Sequence, residues 1–124
     1  MRFLPVEGIP RLNTTPLATV TVDSPRVTVE LDDENEARFR LVFEPYQAVR
    51  MVTADCYVPP VGVPLIANTM LEVIESSWVD ELRASLRVSD AGADFMDKAH
   101  HYVVPLQDDF LEVVALRVTV EPAP

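Results

Sequence analysis

The stretch SSWVDELRASLR, residues 76–87, is the one segment of the sequence with a clear helical pattern. Its apolar residues recur at helical spacing, while charged residues fill the remaining positions. Ser77 is expected to cap the first turn, with Asp80 three residues later in a variant of the capping box. We therefore predict a helix over Ser77–Arg87, anchored by Trp78, that packs on one face of a sheet.

Most of the remaining sequence alternates between apolar and polar residues, which is typical of strands. The turn residues Asp23-Ser24-Pro25 predict a hairpin between the first two strands, and the close succession of the first four predicts an antiparallel meander. The segment 69–75 fits a strand or the start of a helix, and we favour the strand. The predicted strands are 18–22, 26–31, 37–43, 46–56, 69–75, 100–106 and 110–120.

These elements predict one α+β domain over residues 1–124. It consists of a mostly antiparallel sheet of six or seven strands, with one helix packed on one face. Residues 1–16, which three prolines interrupt, are expected to form an irregular N-terminal arm. The segment VPPVGVP, residues 58–64, is expected to be an extended connector, because prolines remove the donors that a central strand needs.

The net charge of -10, from 20 acidic and 10 basic residues, argues against binding to nucleic acid. It favours a basic protein or a cation as partner, although solubility alone is an alternative explanation. Two acidic groups of residues predict an interaction surface, with solvated hairpin turns as the alternative. They are Asp32, Asp33, Glu34 and Glu36, and Asp108 with Asp109.

Cys56 is the only cysteine, so an internal disulfide is impossible, and its position at the end of an apolar strand predicts a small core residue. The sequence has no signal-peptide pattern and no apolar run that could span a bilayer, which leads us to expect a cytoplasmic protein. The spacing of His, Cys and Gly residues fits no zinc motif and no phosphate-binding loop. We therefore predict no metal and no cofactor.

Glu112 breaks the apolar pattern of the last strand and is expected to point toward apolar neighbours. A carboxylate in that position is either an acid or base with a raised pKa or one partner of an ion pair. Arg38, Arg40 and Arg50 are the candidate partners on neighbouring strands. His100 and His101 are adjacent and therefore point to opposite faces.

The C-terminal block HHYVVPLQDDFLEVVAL resembles a pattern found in small uncharacterised bacterial proteins. That pattern has H-Y, a short apolar run, an acidic turn and then F-x-E-V-x-A. The matching positions are His101, Tyr102, Asp108 or Asp109, Phe110, Glu112, Val113 and Ala115. The resemblance implies no assigned activity, but it suggests that Tyr102 and Glu112 form a hydrogen-bonded pair.

Two functional classes follow. The first is a non-enzymatic binding or interaction module, for example an immunity- or antitoxin-like protein with a basic protein as partner. The second is a small enzyme or ligand-binding domain whose pocket contains Glu112, Tyr102 and a histidine, with His101 as the candidate. Sheet edges must be covered, and pairing of two copies into a homodimer is one solution.

Overall fold

The structure, a computed structural model, describes residues 2–15, 17–59 and 66–123. These residues form ten strands, one α-helix and two short 3-10 helices, at Ala54–Cys56 and Phe95–Lys98. The main elements are β1 (Arg2–Pro5), β2 (Leu12–Asn13), β3 (Thr19–Asp23), β4 (Arg26–Asp33), β5 (Arg38–Phe43), β6 (Tyr46–Thr53), β7 (Leu71–Ile74), α1 (Ser77–Ser89), β8 (His100–Pro105), β9 (Asp109–Ala115) and β10 (Val118–Pro122).

The strands form two antiparallel sheets. The first sheet has the order β1-β7-β8-β9-β6, and the second has the order β10-β5-β4-β2, with β3 also paired to β4. The predicted combination of antiparallel strands with one helix is therefore confirmed, but the single sheet of six or seven strands is wrong. Alternation of apolar and polar residues shows that a strand has two faces, and it does not show which sheet the strand joins.

The main core lies between the two sheets. Alternate residues of β4 and β5 point into it, as the sequence pattern predicted, and alternate residues of β8 and β9 meet them from the first sheet. The buried members include Val27, Val29, Leu31, Phe39, Leu41, Phe43, Tyr102, Val104, Leu111, Val113 and Ala115.

The outer face of the first sheet carries two further apolar clusters. Val79 of α1 packs with Met96 and Val114, so the helix covers one part of this face. Leu71, Val73 and Val103 pack with Phe3 in the second cluster, against which Tyr57 and Phe110 also lie. The helix therefore packs on one face of a sheet, as predicted, and leaves part of that face to other segments.

The predicted hairpin of β3 and β4 is confirmed, and β5 extends it into a three-stranded meander. The meander does not continue to β6, which crosses to the first sheet and pairs with β9. Segment 69–75 contains strand β7, as we favoured.

The predicted long strand 110–120 is two strands in different sheets. The break falls at Leu116 and Arg117, whose backbone N–H and C=O groups bond to Pro45 and Glu44 at the corner between β5 and β6. The chain passes from one sheet to the other both between β5 and β6 and between β9 and β10, and these two corners are bonded to each other. An uninterrupted apolar pattern over 110–120 therefore does not give one strand.

The expectation of an irregular arm over residues 1–16 is wrong for the part that the structure describes. β1 pairs with β7, and β2 pairs with the end of β4. Phe3 and Leu12 are buried, and Pro5 ends an edge strand, where a missing N–H costs little. Of the predicted connector 58–64, residues 60–64 lie outside the described residues.

Helix α1 begins at Ser77, as predicted, but its N-cap lies one residue earlier than the sequence suggested. Ser76, and not Ser77, is the N-cap, and its side chain accepts a hydrogen bond from the backbone N–H of Val79. Asp80 pairs with Arg83 instead of closing a capping box. Two consecutive serines fit the cap equally well by sequence, and the end of β7 decides between them.

Candidate functional site

A cleft of about 360 Å³ opens on the outer face of the first sheet, between the start of α1 and the segment that follows β6. Strands form its floor, and the two flanking segments form its walls. The lining residues are Arg50, Val52, Cys56, Tyr57, Val58, Ser76, Ser77, Trp78, His101 and Glu112.

Strand register brings three of the polar residues together. Arg50 on β6 lies directly opposite Glu112 on β9, and residues opposite each other in a sheet share a face. His101 on β8 lies opposite Val114, two residues along β9 from Glu112, and therefore shares that face.

Ser76 joins these residues from the end of β7. Glu75 adopts a left-handed conformation, with φ of 59°, at the turn between β7 and α1. This turn places the N-cap serine above the sheet, where its Oγ lies 2.7 Å from Nδ1 of His101.

A continuous series of hydrogen bonds runs through the floor of the cleft. Nε2 of His101 lies 2.6 Å from Oε1 of Glu112, and Nε of Arg50 donates to Oε2 of the same carboxylate over 2.8 Å. Of the three arginines considered from sequence, Arg50 is the one that pairs with Glu112. Of the two alternatives that the sequence left open, Glu112 is therefore one partner of an ion pair.

The Glu112 carboxylate is held in its ionised form. Burial by itself raises its pKa, but the hydrogen bonds and positive charges of His101 and Arg50 outweigh burial, and the net effect is a lowered pKa. An ionised carboxylate only accepts, so Nε2 of His101 must carry a proton. Nδ1 then accepts from the Ser76 hydroxyl when the ring is neutral and donates to it when the ring is charged.

Trp78 connects the helix to this polar series. The guanidinium of Arg50 lies 4.0 Å from the centre of the Trp78 ring, and the Trp78 and His101 rings meet edge to face with centroids 5.2 Å apart. Trp78 also packs partly against the helix cluster around Val79. It therefore serves both as the anchor that the sequence predicted and as a wall of the cleft.

The opposite wall carries Cys56 and Tyr57. The Tyr57 ring stacks on Phe110 with centroids 4.3 Å apart, and burial, with the nearby charge of Glu112, raises the pKa of its phenol to about 12. Cys56 is exposed, so the expectation of a small core residue is wrong. The chain turns into a 3-10 helix at Ala54, which removes Cys56 from the strand pattern.

Tyr102 does not belong to this site. It lies on the inner face of β8, in contact with Phe43, while His101 and Glu112 point to the outer face. The suggested Tyr102–Glu112 pair therefore does not form, because neighbouring residues of a strand alternate in direction. His100, the residue before His101, forms a hydrogen bond through Nδ1 with the carboxylate of Glu72 over 2.8 Å.

The predicted acidic surface is smaller than expected. Asp32 is only 8% exposed and pairs with Arg38, so it is part of the structure of the second sheet. The Asp33 carboxylate accepts from the backbone N–H groups of Asn35 and Ala37 and thereby shapes its own turn.

The other four acidic residues remain accessible at two turns. Glu34, Glu36 and Asp108 are exposed and Asp109 is half-buried. Arg11 is exposed, and its C=O accepts from the N–H of Glu34, so a basic residue lies beside the first turn.

Sequence reasoning missed Ser76 and Cys56 as members of one site. The paired serines were visible before the helix, but only the turn at Glu75 brings one of them to His101. Within the described ranges, no group of three or more His, Cys, Asp or Glu side chains is arranged to hold a metal ion. No helix in those ranges is long and apolar enough to cross a membrane.

Comparison of the chain with models of known families, with curated proteins and with solved structures gives no match.

Proposed function

We propose that the protein is a non-enzymatic binding module whose ligand occupies the cleft. The observation that carries the proposal is the fixed polar floor, in which Ser76, His101 and Glu112 are buried and hydrogen-bonded to one another. This floor holds Arg50 against Trp78 at the wall of the cleft. Side chains that are already ordered lose little entropy when a ligand binds.

Binding explains the chemistry of the floor better than acid–base catalysis does. A general acid needs a raised pKa near neutrality, whereas His101 and Arg50 together lower the pKa of Glu112 despite its burial. The Ser76 oxygen is already the acceptor for the first turn of α1. Both groups are therefore committed to holding the site in place.

The single thiol gives a direct test, because Cys56 lines the cleft. The protein is equilibrated under mild reduction with a panel of small disulfides of different shape and charge, and the mixed disulfides are measured by intact mass. We expect a minority of the panel to modify Cys56 far more than the rest.

Two variants control this experiment. Replacing Trp78→Leu should remove the preference among disulfides, while Val88→Ala, at a position 89% exposed on the same helix, should retain it. Equal modification by all members of the panel, unaffected by Trp78→Leu, would contradict the proposal.

The second candidate is a small enzyme in the same cleft. The order of Ser76, His101 and Glu112 matches that of a nucleophile, a base and an orienting carboxylate, which is the observation in its favour. A fluorophosphonate reagent tests this candidate. Adduct formation at Ser76 that disappears in His101→Gln and persists in Ser77→Ala would favour the enzyme over the binding module.

The accessible acidic residues support a basic protein as the macromolecular partner, as in an immunity- or antitoxin-like role. Such a complex should weaken as salt rises and when Glu34, Glu36 and Asp108 are neutralised together. Neutralising Glu7, Glu81 and Asp94, which are also exposed, changes the net charge equally and should have a smaller effect. Equal effects of the two triple variants would contradict a defined acidic surface.

A cytoplasmic location and a homodimer are the remaining parts of the proposal. The first sheet ends on β1 and β6, and their edges are the places where a second copy could pair. Cell fractionation and sedimentation over a range of protein concentrations test these two expectations separately.

A further inference from the structure

Arg50 uses one of its N–H groups inside the protein and keeps the others available. Its Nε donates to Glu112, and its planar face lies on Trp78. Among the described residues, no acceptor is paired with its two terminal nitrogens. Since a guanidinium carries five N–H donors, four remain on a side chain that is 48% exposed at the cleft.

Burial separates the charges of the cleft. The Glu112 side chain is 5% exposed and accepts from two partners, so its negative charge is directed into the floor. The positive charge of Arg50 is the one presented to solvent. Arg50 and Glu112 are the only Asp, Glu, Lys or Arg residues among the described residues that line the cleft, so the charged group that the cleft presents to solvent is a cation, in a chain of net charge -10.

Neutral donors and apolar surface surround this cation. Burial keeps the Tyr57 phenol protonated up to a pH of about 12, so it remains a donor at neutral pH. Ser77 lies at the start of α1, where backbone N–H groups have no acceptor within the helix. Val52 and Val58 supply apolar wall.

We propose, on the basis of the binding function above, that the cleft recognises a small organic carboxylate. The terminal nitrogens of Arg50 bind the two carboxylate oxygens, and the apolar body of the ligand lies against Tyr57 and the valines. A planar carboxylate matches the planar guanidinium. One presented positive charge also suits a monoanion better than a phosphate dianion.

Phenylacetate is the probe, with phenylacetamide as its neutral match and phenyl phosphate as its dianionic match. Trp78 is the only tryptophan, so intrinsic fluorescence reports the cleft directly, and protection of Cys56 from alkylation gives a second readout. We expect saturable binding of phenylacetate at no more than roughly 10 mM, a range typical of so small a ligand. Phenylacetamide and phenyl phosphate should each bind at least about tenfold more weakly.

Arginine variants identify the group responsible. Arg50→Gln should weaken phenylacetate binding at least about tenfold, and Arg50→Lys should weaken it less, because a lysine keeps the charge and loses the fork. Arg117→Gln, at a side chain 61% exposed, is the matched control and should bind as the unchanged protein does. Near-UV circular dichroism shows whether each variant retains its fold, and Arg50→Lys supplies the comparison if Arg50→Gln does not.

The proposal is overturned if phenylacetamide or phenyl phosphate binds as tightly as phenylacetate, if no probe binds, or if folded Arg50 variants bind phenylacetate unchanged. The disulfide panel separates this failure from failure of the binding function. A cleft that selects neutral or basic disulfides but no carboxylate contradicts only the ligand class, whereas a cleft that selects none contradicts both.

Discussion

Replacing Glu112→Gln tests the central contact of the site. The change keeps the size of the side chain and removes its charge. In the unchanged protein, the Glu112 carboxylate accepts from Nε2 of His101 at 2.6 Å and from Nε of Arg50 at 2.8 Å. A glutamine offers one carbonyl oxygen to these two donors, and its amide group is itself a donor. With the proton kept on Nε2 of His101, at least one donor therefore loses its partner.

The size of the expected stability loss depends on how exposed His101 and Arg50 are. A hydrogen bond to a charged group contributes about 1.5–3 kcal/mol, and removal of one member of a buried ion pair costs about 3–5 kcal/mol. His101 is buried and cannot recover its bond from water, but Arg50 is 48% exposed and recovers much of its own. We expect a loss of about 2–3 kcal/mol, which lowers Tm by roughly 10 °C in a chain of this length.

The measurement is urea unfolding followed by circular dichroism, with an unchanged slope as the sign that only stability has changed. Glu121→Gln is the matched control, because Glu121 is 52% exposed and pairs with Arg40 at 3.7 Å. Glu121→Gln should lower the free energy of unfolding by less than about 0.5 kcal/mol. If Glu112→Gln costs no more than this control, the polar floor does not hold the site together and the reasoning is wrong.

Three further predictions concern the same region. The pKa of Glu112 is lowered from 4.5 by His101 and Arg50, which outweigh burial, so the stability that its ionised form contributes is complete above about pH 4.5 and is lost as pH falls through the folded pKa. The difference in unfolding free energy between the unchanged protein and Glu112→Gln should therefore shrink in urea titrations as pH falls below about 4.5, and a constant difference would speak against the ion pair. Ser76→Ala should lower the free energy of unfolding by about 1–2 kcal/mol, because it removes the cap of α1 and the partner of His101. Ser77→Ala should lower it by less than about 0.5 kcal/mol, and equal losses in thermal unfolding would show that the cap is misassigned. Val79→Ala should lower the free energy of unfolding by about 1–2.5 kcal/mol, because Val79 packs against Met96 and Val114. The control Val88→Ala, at an exposed position, should leave it almost unchanged, and similar unfolding midpoints for the two variants would mean that α1 does not pack on the sheet.

The alternating pattern predicted several local features correctly. Val27, Val29 and Leu31 are buried on one face of β4, as are Phe39 and Leu41 on β5. A strand has the same two-residue period wherever it lies, so such patterns report which side is apolar without reference to any partner. The helix was predictable for the same reason, from its own periodicity.

The candidate site was partly accessible from sequence. Glu112 interrupted an apolar face, and that conflict indicated a buried carboxylate with an arginine partner, although three arginines fitted. His101 was one of the candidates. Tyr102 was included because the resemblance of the C-terminal block suggested a pair with Glu112. Its neighbour His101 shares the face of Glu112, however, and adjacent residues of a strand point to opposite faces.

The sequence by itself determined where the helix and most strands lie and which of their faces are apolar, because those properties depend on neighbours along the chain. Only the tertiary structure decided that β6 joins β9, that residues 110–120 divide between two sheets, and that Ser76, Arg50, Trp78 and Glu112 line one cleft. These outcomes depend on pairing between segments distant in the chain. The free energy of such pairing lies in packing and hydrogen bonds that no local pattern records.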